Sequence, residues 1–122
     1  MTYSDKVIIV EGKQDREKLK RIIDDDILII CTYGTLGLYE LDEMIDQYSL
    51  FDKDVYIFTD ADKPGEKLRK LINQEIDSAT NLYIDKKYHQ VEETPDYILA
   101  STLQAANINV KLHYLKGLEN GD

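Results

Sequence analysis

Acidic side chains follow two short apolar runs of the sequence. Glu11 comes directly after residues 7–10, and Asp60 and Asp62 follow the run at residues 55–58 closely. Asp60 and Asp62 are two positions apart, so in an extended segment both side chains point to the same side. Neighbouring carboxylates repel one another unless a cation lies between them, and their oxygens suit Mg²⁺ or Mn²⁺. The spacing therefore predicts that Glu11, Asp60 and Asp62 bind a divalent metal.

These acidic residues also have an ordinary interpretation as turn and cap residues. Strands often end in polar loops, and aspartate is common in turns and at the N-termini of helices. Asp62 lies just before Pro64 and could simply cap a helix that begins there. We favour the metal site because Glu11 and the Asp60/Asp62 pair are each followed by a turn that contains glycine.

Apolar runs that are typical of strands alternate with stretches of helical periodicity. The predicted strands cover residues 7–10, 27–30, 55–58 and 81–85, with a further short strand at 110–114. One helix is predicted after the first strand, two more at 36–48 and 63–76, and a fourth that opens with Thr94 as N-cap and Pro95 at the first helical position. This alternation indicates an α/β fold with a mainly parallel sheet, in which ligands bind beyond the carboxyl ends of the strands.

Length and composition indicate one globular domain. The chain has 122 residues, of which 43% are hydrophobic, and this is enough to bury a core without disulfides. We expect residues 1–115 to form the domain and residues 116–122 to form a flexible C-terminal tail. Cys31 is the only cysteine, and the N-terminus lacks the pattern of a signal peptide, so we expect a cytoplasmic protein.

The net charge of −9 argues against a domain that binds nucleic acid by bulk electrostatic attraction. Basic residues nevertheless cluster in two places: five of the nine residues from Lys13 to Arg21 are basic, as are four of those from Lys63 to Lys70. Both clusters begin just after an acidic motif. They are either solvated helix faces or the borders of a path for phosphate groups.

Three motifs together resemble the Toprim superfamily. Residues 7–13 are similar to its first motif, an apolar strand that ends in Glu-Gly, and residues 59–66 are similar to its second, Asp-x-Asp followed by a Pro-Gly helix entry. Residues 32–35 match the glycine turn after the second strand. The resemblance implies a three-layer, Rossmann-like Toprim fold, with a four-stranded, mainly parallel sheet between helices. The first and third strands must be adjacent for the acidic residues to meet.

Within this superfamily, the sequence is most similar to the bacterial ribonuclease that matures 5S ribosomal RNA. The likeness lies in residues 60–69, which end in Pro-Gly-Glu-Lys-Leu-Arg, and in Val91-Glu92 before the helix opening at Thr94. Maturases of this kind carry a further C-terminal region for binding RNA and protein, which lies beyond the part that resembles this sequence. For that reason the resemblance does not carry over the substrate.

The resemblance also implies roles for single residues. Glu11 corresponds to the general acid/base, which is a metal ligand in some members, and Asp60 and Asp62 correspond to the metal-binding pair. A metal would stabilise the charge that develops on the phosphoryl oxygens, and a carboxyl group beside it can move the proton. Further candidates are Lys13 as a catalytic phosphate contact, Gly12, Gly34 and Lys63 for binding phosphate or substrate, and Glu92 for acidic support.

Two functions remain open at this point. The first is Mg²⁺-dependent phosphodiester chemistry on nucleic acid, with RNA favoured over DNA. The alternative is a catalytically weak module that binds metal and phosphate and acts with a partner protein, which the acidic composition favours. A response-regulator-like acidic pocket is disfavoured, because it needs a lysine late in the chain and Lys111 is poorly placed for that role.

Overall fold

Strands and helices alternate through the computed structural model, which describes residues 4–34 and 36–115. The strands are β1 (Lys6–Val10), β2 (Ile27–Cys31), β3 (Asp54–Ile57) and β4 (Thr80–Asn81). The longer helices are α1 (Lys13–Ile22), α2 (Leu38–Tyr48), α3 (Lys63–Glu75) and α4 (Asp96–Ala105), and short 3-10 turns form at Leu50–Asp52, Lys86–Tyr88 and Val91–Glu93.

The sheet is parallel throughout, with the strand order β2-β1-β3-β4. Ile9 of β1 pairs with Ile57 of β3, and Val10 pairs with Cys31 of β2. The predicted adjacency of the first and third strands is therefore confirmed. As a consequence, the carboxyl ends of β1 and β3, and the acidic residues that follow them, lie at one edge of the sheet.

The side chains of residues 7–10 in β1 are fully buried on both faces of the sheet, which explains why this run has no alternation of polar residues. Ile8 and Val10 pack in one apolar cluster with residues of α1 and α4, such as Leu19 and Leu99. Val7 and Ile9 pack in a second cluster with residues of α2 and α3, such as Leu41 and Ile72. The expected three-layer arrangement of helix, sheet and helix is confirmed.

Two predicted strands are shorter than their apolar runs indicated. The strand predicted at residues 81–85 consists of Thr80–Asn81 alone. Pairing stops there because the carbonyl of Leu82 accepts from the guanidinium of Arg69 at 2.7 Å and not from a strand. In the segment predicted as a strand at 110–114, only Val110 pairs, through one antiparallel bridge to Ile23. The chain then turns into a helical segment at residues 112–115.

The predicted start of the fourth helix is also wrong by one position. Pro95 occupies the N-cap and the helix begins at Asp96. Thr94 is fully buried, and its hydroxyl donates to the carbonyl of Gln90 at 3.0 Å instead of capping the helix. The reason is that Thr94 closes the preceding 3-10 turn, where its N–H donates to Val91.

Residues 116–122, for which a flexible tail was expected, lie outside the described part of the chain, and so does residue 35. Among the residues that are described, no helix has the length and apolar character to cross a bilayer.

Candidate metal centre

An open cleft lies at the carboxyl ends of β1 and β3. The two strands continue to pair there, because the N–H of Phe58 donates to the carbonyl of Ile9 at 2.9 Å. Its walls are formed by three turns, which follow β1, follow β2 and precede α3, and by the Val91–Glu93 segment. Its lining residues are Glu11, Gly12, Lys13, Gln14, Asp15, Tyr33, Gly34, Asp60, Asp62, Pro64, Gln90 and Glu92.

Glu11 and Asp60 make the contact between the two acidic motifs. The backbone N–H of Asp60 donates to Oε2 of Glu11 at 3.2 Å. Burial, together with the neighbouring carboxylate of Asp60 and the more distant one of Asp62, raises the pKa of Glu11 to about 8, although the N–H of Asp60 lowers it. Without a cation, the cleft therefore favours a protonated Glu11 near neutral pH.

Backbone amides orient the two aspartates. Oδ1 of Asp60 accepts from the N–H of Val91 at 2.8 Å, and Oδ1 of Asp62 accepts from the N–H of Gly65, also at 2.8 Å. Asp62 is thus the N-cap of α3, as its ordinary interpretation indicated. No backbone amide of the described residues donates to the second oxygen of either carboxylate, although the side chains of Asp60 and Glu11 interact, so capping and metal binding are compatible.

Gly65 allows the start of α3 to lie directly against the backbone of Asp60. A Cβ atom at this position would lie 2.1 Å from the carbonyl oxygen of Asp60, far inside van der Waals contact. The glycine of the Pro-Gly helix entry is therefore required by this close approach. The close approach places Asp62, the N-cap of α3, next to Asp60 at the mouth of the cleft.

Asp15 belongs to the same cleft, and the sequence analysis did not identify it. The residue is only 4% exposed, and its Oδ2 accepts from the N–H of Gly12 at 3.0 Å, which closes the first turn of α1. Burial and the charge of Asp60 raise its pKa to about 6, although the Gly12 N–H lowers it. The signal that would have identified it is the capping-box spacing, an acidic residue three positions after the N-cap Gly12.

The structure brings most of the other predicted residues to this cleft. Lys13, Gly12, Gly34 and Glu92 all line it. Lys63 does not: it is an exposed residue in the first turn of α3 and lies outside the lining.

The donor set of the cleft suits a hard divalent cation. Glu11, Asp60 and Asp62 offer oxygen ligands, and the burial and neighbouring carboxylates that raise the pKa of Glu11 both disfavour a charged Glu11 that a cation would stabilise. In the described part of the chain, no three aspartate, glutamate, histidine or cysteine side chains are already gathered in a metal-binding arrangement. Binding would therefore draw the carboxylates together, with the free oxygens of Asp60 and Asp62 turned toward the ion.

The fold and the cleft are those of a Toprim domain. The family model described as "Toprim domain" matches residues 6–93, and the chain belongs to this family. Its structure is similar to that of a small TOPRIM domain protein from Bacillus stearothermophilus, with a TM-score of 0.86 and 38% sequence identity over 92% of this chain and 93% of the other.

Two kinds of bacterial protein are similar in sequence. The uncharacterized protein YusF of Bacillus subtilis is 44% identical over 99% of this chain and 82% of its own length. Ribonuclease M5 of Bacillus cereus is 36% identical over 66% of this chain, but over only 41% of its own length. The chain thus spans about two fifths of that ribonuclease, and the similarity confirms the resemblance to this class of enzyme.

Proposed function

We propose that the protein holds Mg²⁺ or Mn²⁺ between Glu11, Asp60 and Asp62 and catalyses phosphodiester chemistry on nucleic acid, with RNA as the favoured substrate. The observation that carries the proposal is the contact between Glu11 and Asp60 across two adjacent parallel strands. The similarity to ribonuclease M5 supports RNA over DNA. An RNA substrate and a single cysteine both suit a protein of the bacterial cytoplasm.

The acidic residues have distinct tasks in this proposal. A bound cation stabilises charge on the phosphoryl oxygens. Asp60 and Asp62 offer their free oxygens as ligands, while the amides of Val91 and Gly65 fix the orientation of both carboxylates. Glu11 is the general acid/base in this proposal, because its carboxyl group lies beside Asp60 at the mouth of the cleft and a carboxyl group there can accept and return a proton.

The remaining residues of the cleft serve the substrate. Gly12 and Gly34 line the cleft without side chains, so a phosphate can approach the backbone closely there, and Lys13 supplies a positive charge in the same cleft. Glu92 adds acidic support from the opposite wall. Lys63 lies outside the lining, so we assign it a longer-range attraction for the phosphate backbone.

The net charge of −9 favours a second candidate function. In this version the cleft binds metal and phosphate, but a partner protein provides most of the affinity for RNA, because an acidic domain gains little from bulk electrostatics. The partner would take the place of the part of ribonuclease M5 that this chain does not match.

A cleavage and binding experiment tests the proposal. Structured RNA, single-stranded DNA and nicked duplex DNA are incubated with the wild type, with Asp60→Asn and with the matched control Asp46→Asn, which changes an exposed position of α2. Each reaction is run with Mg²⁺, with Mn²⁺ and with EDTA. Metal-dependent RNA cleavage that only Asp60→Asn abolishes is the expected result.

The same samples separate the alternatives. Metal-dependent RNA binding without turnover supports the module that needs a partner. If Asp60→Asn and Asp62→Asn both bind Mn²⁺ as tightly as the wild type in a calorimetric titration, the metal site is wrong and both versions fail.

A further inference from the structure

Tyr33 is an exposed aromatic residue at the wall of the acidic cleft. Its relative exposure is 67%, and it lines the cleft together with Glu11, Asp60 and Asp62. Large aromatic side chains normally bury their rings, so a tyrosine that is open to solvent beside a reactive site requires an explanation. The proposed chemistry does not use its hydroxyl.

The backbone holds this side chain in place at a conformational cost. Tyr33 has a φ of 58°, in the left-handed region that non-glycine residues seldom adopt. Strain of this kind persists only where the surrounding structure imposes it. Here the residues on either side impose it, because Thr32 N–H donates to the carbonyl of Val10 at 2.9 Å and Gly34 N–H donates to that of Glu11 at 3.2 Å.

These hydrogen bonds link the tyrosine to the reactive acid. The carbonyl of Glu11 accepts from Gly34, and the Sγ of Cys31 approaches the same oxygen at 3.3 Å. The turn that carries Tyr33 is therefore attached on both sides to the residues at the end of β1. The backbone that carries the ring therefore has a defined position relative to Glu11, as the attachment of a substrate platform must.

One positive charge lies over the ring. The guanidinium of Arg16 lies over it, 5.8 Å from the ring centroid, and Lys13 lines the same cleft. With Arg16 over one face and most of the residue exposed, the remaining surface of the ring is open to solvent. An aromatic ring beside an arginine, in a cleft that also contains a lysine, suits a nucleobase that stacks on the ring while its phosphate meets a cation.

We propose that Tyr33 stacks on an unpaired base next to the reacting phosphate, so that the cleft selects single-stranded or looped RNA over duplex RNA. This inference rests on the proposed function. Bases within an A-form duplex are stacked on their neighbours and offer no free face to a side chain, whereas bases in loops and single strands do. The tyrosine therefore determines which substrate can enter the cleft and takes no part in proton transfer.

The test is a binding measurement that does not depend on turnover. Fluorescence anisotropy is recorded with a labelled 12-nucleotide single-stranded RNA and with the matching duplex, in Ca²⁺ in place of Mg²⁺ to suppress cleavage. The variants are Tyr33→Ala, Tyr33→Phe and, as a control, Phe51→Ala, which removes an aromatic ring that is 68% exposed at the opposite edge of the sheet.

Tyr33→Ala is expected to weaken binding of the single-stranded RNA about tenfold, with little change for the duplex. Tyr33→Phe and Phe51→Ala should bind like the wild type. If Tyr33→Ala retains wild-type affinity while Asp60→Asn still loses cleavage, the stacking role is wrong and the proposed function stands. If the wild type neither binds nor cleaves RNA, both fail.

Discussion

The backbone N–H of Asp60 donates to Oε2 of Glu11 at 3.2 Å, and the two residues extend from adjacent parallel strands. This single contact joins the Glu-Gly motif to the Asp-x-Asp motif. It places two carboxyl groups in one half-buried site without a basic side chain between them, and the raised pKa of Glu11 is the result. The following predictions concern this site and the packing that supports it.

Glu11→Gln is expected to weaken Mn²⁺ binding by at least about tenfold, because the amide keeps the shape of the side chain but loses the charge and one anionic ligand. In EDTA the variant should be at least as stable as the wild type, since it also removes the repulsion from Asp60. Isothermal titration calorimetry with Mn²⁺ and thermal unfolding in EDTA measure the two effects. Glu43→Gln, at an exposed position of α2, is the matched control and should change neither. An unchanged Mn²⁺ affinity in Glu11→Gln contradicts the prediction.

The stability of the metal-free protein should fall as the pH rises. The pKa of Glu11 is raised from 4.5 to about 8 and that of Asp15 from 3.8 to about 6. Between the unfolded and folded values the folded state holds protons that the unfolded chain has lost, so each rise in pH through this window favours unfolding. We expect the melting temperature in EDTA to decrease from about pH 5 to about pH 8, with saturating Mg²⁺ restoring stability at the upper end. A melting temperature that rises across this range would show that the carboxyl groups are not buried as described.

Gly65→Ala should lower the free energy of unfolding by about 1–3 kcal/mol, because the added methyl group cannot fit beside the backbone of Asp60 without moving the start of α3. The same movement should displace Asp62 and weaken Mn²⁺ binding. Urea denaturation and metal titration provide the two measurements. Gly37→Ala is the control: the Cβ there meets only the end of the exposed side chain of Glu40, which can swing away. Equal stability of the two variants contradicts the close approach at Gly65.

The strand positions and the acidic motifs were predictable because each depends on a local pattern. The runs at residues 7–10 and 55–58 are apolar on both faces, as buried parallel strands must be, and Asp62 stands where a helix N-cap is expected. Asp15 was missed because a buried acid in the first turn of a helix has the same sequence signal as an exposed one. Its role depends on Asp60, which lies 45 positions away in the chain and meets it only in the folded sheet.

The basic cluster from Lys63 to Lys70 shows a second limit of sequence reasoning. Its members were expected to share one environment, as a solvated face or as a phosphate path. Arg69 is instead 5% exposed, while Lys63 and Lys70 are exposed, because helical geometry turns position 69 toward β3 and β4. Charge alone did not indicate which residue faces the sheet.

Arg69→Lys is expected to lower the free energy of unfolding by about 2 kcal/mol, although the charge is retained. The guanidinium donates to the carbonyls of Ile57 and Leu82 and to the side chain of Asn81 at 3.3, 2.7 and 2.9 Å, and one ammonium group cannot reach all three acceptors with the same planar geometry. The carbonyl of Leu82 would lose its guanidinium donor at the point where β4 ends, whereas that of Ile57 would keep the N–H of Leu82. Urea denaturation measures the effect, and Arg21→Lys, the same substitution at an exposed position of α1, should leave stability within about 0.5 kcal/mol of the wild type. If the two lysine variants are equally stable, the Arg69 hydrogen bonds do not hold the end of the sheet together.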